Sequence, residues 1–418
     1  MKKRWFKVFP VSMLALVILV TGAWAGEVEV LHWWTSGGEA KSVGVLKDQL
    51  EKEGHTWKDF AVAGGAGETA MTVLRSRAVA GNPPTAAQVK GPQIQQWGEE
   101  GVLANLDKVA KANKWDDLLP GVVADIMKYK GKYVAVPVNV HRINWMWVNP
   151  EVFRKAGAKI PTTWAEFESE AKKIQDAGFI PVAFGGQAWQ EATVFESIVI
   201  AIGGADFYRK TMIDADPKSL NSPTMVKVFE QLRTVKKYTD TNAPGRDWNL
   251  ATAMVIEGKA AMQFMGDWAK GEFTAAGKQP NSDYVAVPVP QTSEYFLFNV
   301  DSFIMFNVKD KKAREAQDAM ARLILEPGFQ EVFNVNKGSI PVRLGMPRDP
   351  FDDPAQRAMN DFIATASSGG LLPSMAHEMA VFPEIRGAIF DVVTSFYNSD
   401  MSAQDAARKL GEEVQAAK

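Results

Sequence analysis

KYVAVPVNV runs from Lys132 to Val140, and DYVAVPVP from Asp283 to Pro290. Both stretches alternate and are rich in valine, as half-buried strands are. Both also carry an internal proline. Proline has no N–H to give to a ladder, so such a strand belongs at a sheet edge or where the chain leaves one sheet for another. The shared core, VAVPV at Val134–Val138 and again at Val285–Val289, predicts two crossings between two lobes.

The flanking sequence supplies the lobes. Glu27 to Trp33 alternates as a strand. Thr35-Ser36-Gly37-Gly38 turns the chain, and Glu39 to Glu53 reads as a helix with Val43, Leu46 and Leu50 on one face. A strand from His55 to Val62, a glycine turn at Gly64–Gly67, a helix from Glu68 to Ala80 and a strand from Ala86 to Val89 follow. Strand and helix in alternation predict an α/β architecture with parallel sheet. Further on, Thr163 and Glu166 have capping-box spacing at the start of a helix. Ala260 to Met265 is a short apolar strand that ends at Gly266-Asp267-Trp268. A strand from Ser302 to Phe306 precedes helices from Lys311 to Leu325 and from Pro327 to Val335, and the tail after Asp352 is amphipathic.

The first 25 residues read as a secretory leader. Lys2, Lys3, Arg4 and Lys7 precede an apolar run from Val11 to Val20 and an Ala23-Trp24-Ala25 cleavage site. A bilayer span needs about 20 apolar residues, more than this run supplies. The mature chain is therefore expected to start at Gly26 and to work outside the cytoplasm. The leader holds four basic residues and no acid, so its removal takes the formal charge from −2 to −6. A mildly acidic chain without a basic block is a poor partner for nucleic acid. With no cysteine, disulfides, thiolate nucleophiles and zinc–thiolate sites are excluded. Of His32, His55, His141 and His377, no two lie three to five residues apart, so no zinc-type pair exists.

Candidate site residues gather at strand ends. Trp33 and Trp34 leave the first strand into a glycine-rich loop, where parallel α/β sheets bind their ligands. An indole suits the apolar face of a sugar ring, and two adjacent tryptophans could equally be core. Asp267 and Trp268 stand at another strand end. Asp301 lies between apolar stretches, where a carboxylate is costly to bury unless it is paired or hydrogen-bonded. Lys337 reads as a helix C-terminal charge. His377 sits in a loop, as a ligand or a solvated surface group. Gly64–Gly67 lacks the lysine and hydroxyl of a phosphate loop.

Taken together, VAVPVNV, NWMWVNPEVFRKAG and PTTWAEF (Tyr133 to Ile174), KAAMQFMGDWAKGEF (Lys259 to Phe273) and SFIMFNVKDKKAREAQDAMARLIL (Ser302 to Leu325) resemble the extracytoplasmic solute-binding proteins of ABC sugar importers. HWWTSGGE, NKGSIPVR and SMAHE are most similar to periplasmic glucose/mannose-binding proteins. The resemblance covers nearly the whole mature chain. It implies a two-lobed, hinged periplasmic-binding-protein fold of the maltose-binding type. The first lobe would be 26–136 plus 298–345 and the second 137–297 plus 346–418, after a signal peptide over 1–25. It also implies a monomeric receptor that hands glucose or mannose to membrane permease subunits, with no cofactor, metal or catalytic residue. The ligand-binding residues it implies are Trp33, Trp34, Glu39, Lys90, His141, Asn144, Trp268, Asp301, Lys337 and His377, with Trp189 at the pocket edge. Two alternatives stand beside this reading. One is a receptor for an oligosaccharide or polyol. The other is a secreted carbohydrate-active enzyme using a carboxylate pair such as Glu39 and Asp301.

Overall fold

A computed structural model describes residues 26–418. The expected leader lies outside the described residues. Three sheets organise the chain. In the first, Glu27–His32 lies between Thr56–Ala61 and Ala86–Gln88, all parallel. Ser302–Met305 then pairs antiparallel with Ala86–Gln88, and Ala135–Pro137 closes the far edge. The sheet is thus mixed rather than purely parallel, because a strand from late in the chain enters it in the opposite sense. Val28, Val30 and Leu31 of the first strand and Leu46 and Leu50 of the helix Gly37–Lys52 are fully buried together. At roughly 1.5–3 kcal/mol per side chain, their burial is a substantial part of this lobe's stabilisation.

The second sheet runs in the order Val285–Pro288, Trp145–Val148, Ala260–Phe264, Ile180–Val182. Helices pack on it, among them Trp164–Asp176. That helix starts as its sequence predicts: Thr163 Oγ1 accepts from the Glu166 N–H at 3.2 Å, and the Glu166 carboxylate accepts from the Thr163 N–H at 3.2 Å. The third sheet, Ile340–Pro341, Asn139–Arg142, Phe296–Asn299 and Leu371–Pro373, joins the other two.

Both proline-bearing patches lie at sheet edges, and only one of them is a crossing. Ala135–Pro137 ends the first sheet, and the chain enters the third two residues later, at Asn139. The second patch, Val285–Pro288, is instead the outer strand of the second sheet, paired with Trp145–Val148. The return crossing is Phe296–Asn299 into Ser302–Met305. The expectation of two equivalent crossings is corrected accordingly. Proline marks an edge, and an edge next to a crossing looks in sequence like any other edge.

The helix Pro327–Lys337 ends where Gly338 turns left-handed at φ 90°. There its backbone meets the segment Asp267–Gly271, and a β-carbon would collide with the Asp267 carbonyl oxygen. Gly338→Ala should therefore lower the unfolding free energy by about 2 kcal/mol or more, since the left-handed conformation alone costs 1–2 kcal/mol. The midpoint and slope of a urea titration check this.

Candidate functional site

Where the three sheets meet, strand ends and loops enclose a cavity of about 260 Å³. Trp33, Trp34 and Glu39 come from the end of the first strand and the start of the helix after it. Lys90 follows the strand Ala86–Gln88, and Asp301 stands at the return crossing. Lys337 closes the helix Pro327–Lys337, His141 comes from the outward crossing, and Trp268 and His377 come from loops. Nine of the ten expected ligand-binding residues thus line one space, with Trp189 beside them.

Asn144 is the exception. Its amide donates to Thr292 Oγ1 at 3.0 Å and to the Tyr295 carbonyl at 3.0 Å, and its oxygen accepts from the Leu297 N–H at 3.0 Å. Asn144 pins the backbone of the crossing strands outside the cavity, and its place in the expected set is corrected. It lies between the strands Asn139–Arg142 and Trp145–Val148, where the chain bends from the third sheet into the second.

Buried charge is answered by buried charge. Asp267 and Asp301 grip opposite nitrogens of the His141 ring, Asp301 at 3.0 Å. Asn139 gives its amide hydrogens to Asp301 at 3.2 Å and Ser339 at 3.2 Å, and Gln88 gives one to Asp301 at 3.3 Å. Burial opposes a charged His141, yet the Asp267 and then Asp301 carboxylates more than offset it and hold its pKa above the usual histidine value. Burial would likewise raise Asp301. The bond and charge of His141, with Lys337 and Lys90 beyond, instead hold it well below the carboxylate range. Both ring nitrogens of His141 are used as donors, so the ring offers no lone pair to a metal. Lys337 pairs with Glu39 at 2.9 Å. Lys90 lies 3.5 Å from Glu378, which Arg386 holds at 3.0 Å from its other side. His377 is buried, not solvated. Burial first, and then the charge of Lys90, drives its pKa far down and keeps the ring neutral.

Flat apolar surface completes the walls. Lys90 lies 5.0 Å from the centre of the Trp33 ring, and Lys337 5.9 Å and 6.0 Å from those of Trp34 and Trp268. His377 meets Trp268 edge-on at 4.9 Å. Buried polar atoms of this wall that lack a partner among the described residues include Trp268 Nε1 and Asn299 Oδ1. Such atoms cost about 1–3 kcal/mol each when unsatisfied, so a ligand with hydroxyls would repair them.

Sequence reasoning passed over Asn299 and the rim residues Gln187, Asp247 and Trp248. Asn299 sits two residues before Asp301, on a crossing whose place the second proline patch had obscured. Gly64 and Ala66 of the glycine turn also reach the cavity edge. Asp301, held ionised, is no proton donor, and Glu39 is engaged by Lys337. The pair therefore lacks the acid that glycoside hydrolysis needs.

A family model of bacterial extracellular solute-binding proteins matches residues 35–325. A probable sugar-binding periplasmic protein of Brucella melitensis is 49% identical, over 94% of this chain and 92% of its own. A second protein of that description, from Rhizobium meliloti, is 47% identical over 97% of this chain and 98% of its own. Among solved structures, the bacterial solute receptor AcbH, described as exclusive for β-D-galactopyranose, superposes with a TM-score of 0.80 at 18% identity. The match covers 94% of this chain and 99% of that one. The chain belongs to the bacterial extracellular solute-binding protein family, with the two-lobed α/β fold of maltose-binding-type receptors. It is a binding protein and not an enzyme.

The His141 cluster sets a pH dependence. A raised folded pKa means the cluster's stabilisation is complete below the ordinary histidine value, about 6.5, and is lost as pH climbs through the raised value. Unfolding free energy from urea titrations should fall across that alkaline window, and His141→Gln should flatten the fall.

Proposed function

We propose that this chain binds a neutral monosaccharide, glucose or mannose, between its lobes and delivers it in the periplasm to the permease of an ABC importer. The lobes in this reading are 26–136 plus 298–345 and 137–297 plus 346–418, and the protein acts as a monomer after its leader is removed. The observation that carries the proposal is the makeup of one cavity wall. Indole plates stand beside charges that are largely cancelled in pairs, next to buried polar atoms with nothing to bond.

That wall suits a hexose. A sugar ring is flat and apolar on its C–H face and studded with donor–acceptor hydroxyls at its rim. Glu39, Lys90, Asn299, Asp301, Lys337 and His377 would take the rim, with His141 holding Asp301 in place, and Trp33, Trp34 and Trp268 the faces. Hydrogen bonds to ionised partners contribute about 1.5–3 kcal/mol each, enough for a few to give tight capture. Because Glu39–Lys337 and Lys90–Glu378 are already paired, a ligand carrying its own charge would leave one partner stranded in a dry site. The volume, about 260 Å³, is near the lower end of small-molecule sites, roughly 300 Å³, which favours one ring over several. The sugar-binding names of the close relatives agree with this reading.

Isothermal titration of the mature protein with D-glucose and D-mannose tests it. Saturable heat at micromolar protein is the expected result. Tight binding of maltose or xylose with no heat from either hexose would overturn the ligand assignment. Trp268→Ala should weaken hexose binding about tenfold or more, through loss of a stacking face worth about 0.5–1.5 kcal/mol beyond its buried area.

A further inference from the structure

The long helix Ala188–Tyr208 presents three side chains to the loop that carries His377. Trp189, at its start, lies 5.9 Å from the His377 ring. Thr193 Oγ1 is 3.0 Å from His377 Nε2. Glu196, another turn along, is fully buried and binds the backbone of the loop itself. Its Oε2 accepts from the Met375 N–H at 2.9 Å and the Ala376 N–H at 3.3 Å, and its Oε1 from Ser374 Oγ at 2.6 Å. Ser374 Oγ in turn accepts from the His377 N–H at 3.1 Å.

The fourth donor comes from the far end of the same helix. Tyr208 OH is 2.8 Å from Glu196 Oε2, although twelve residues of straight helix would separate them by about 18 Å. Gly204, at φ 73°, breaks the helix and lets the tyrosine fold back. A left-handed break there serves glycine alone without strain. The hydroxyl oxygen also accepts from the Met375 N–H at 3.2 Å, while the Pro373 carbonyl, at 3.0 Å, competes with Glu196 for the single hydroxyl proton.

We propose that Glu196 is a positioning residue for ligand recognition: its carboxylate clamps the Ser374–Ala376 turn and so fixes the His377 imidazole in the cavity wall. Glu196 touches no ligand itself, and the proposal rests on the hexose-site reading of that cavity. Four donors converge on the carboxylate, which therefore works best ionised. Burial opposes this and pushes its pKa up to about 7, with the bonds from Ser374 and Tyr208 pulling the other way. The titratable side chains facing it are Tyr208, from its own helix, and His377, from the loop. Burial keeps both uncharged around neutrality. A proton arriving on Glu196 removes acceptor capacity and loosens the turn. Loss of affinity on the acid side of neutrality then belongs to Glu196.

Glu196→Gln tests the assignment. The amide keeps the shape but sets an N–H against donors. In titrations with D-glucose from pH 5.5 to 8.5, wild type should weaken about tenfold toward the acid end. The variant should bind at least tenfold more weakly at pH 7.5 and lose the acid limb. Affinity is counted per folded molecule, from circular dichroism on the same samples. A variant with wild-type affinity, or with the acid limb intact, overturns the proposal. Should Glu196→Gln not fold, Ser374→Ala takes its place, with about threefold weaker binding expected and wild-type affinity the overturning result. If wild type binds no sugar, the cavity reading fails instead, which the wild-type titration alone reveals.

Discussion

The imidazolium of His141 held between Asp267 and Asp301 is the interaction on which the site depends. Taking three ionisable groups out of water is costly, and the cost is recovered only if every remaining donor and acceptor is met. Here the cluster draws on four parts of the chain. His141 and Asn139 come from the outward crossing, Asp301 from the return crossing, Asp267 from the end of a second-sheet strand, and Gln88 from the first sheet. The condition for burying charge thus fixes how the crossings lie against each other. The cavity sits at the point so fixed.

Around that centre the same economy repeats. Glu39 and Lys337 meet from two helices, and Lys90, Glu378 and Arg386 meet from three segments. Each pair stiffens two long side chains that would otherwise lose several rotamers on meeting a ligand. The indoles add area at low entropic cost. Trp268 Nε1 and Asn299 Oδ1 are left buried and unpartnered in the same wall.

Much of this was readable from residues alone, for identifiable reasons. Alternation and glycine turns marked the first sheet. Thr163 and Glu166 marked a helix start, and tryptophans next to strand ends marked a cavity wall. Nine of the expected residues line one cavity because charged or indole side chains at strand ends have few other uses. The misreadings have a common physical origin. VAVPV at Val285–Val289 carries only the local signal of an edge, and which sheet it borders is decided by pairing with Trp145–Val148 far away in sequence. Asn144 has the right chemistry but lies between two strands, where its amide is used on the backbone. Asn299 and Glu196 look ordinary in sequence, since an amide in a strand and an acid in an apolar helix gain meaning only from partners far along the chain.

The first sheet has a further consequence for biogenesis. Its interior member Ser302–Met305 lies between Ala86–Gln88 and Ala135–Pro137, so the earlier strands cannot close ranks by themselves. A chain emerging from its N-terminus has no finished first sheet until Met305 has been made. The pairing that completes this sheet thus joins strands far apart along the chain, and long-range pairing of that kind is slow to form.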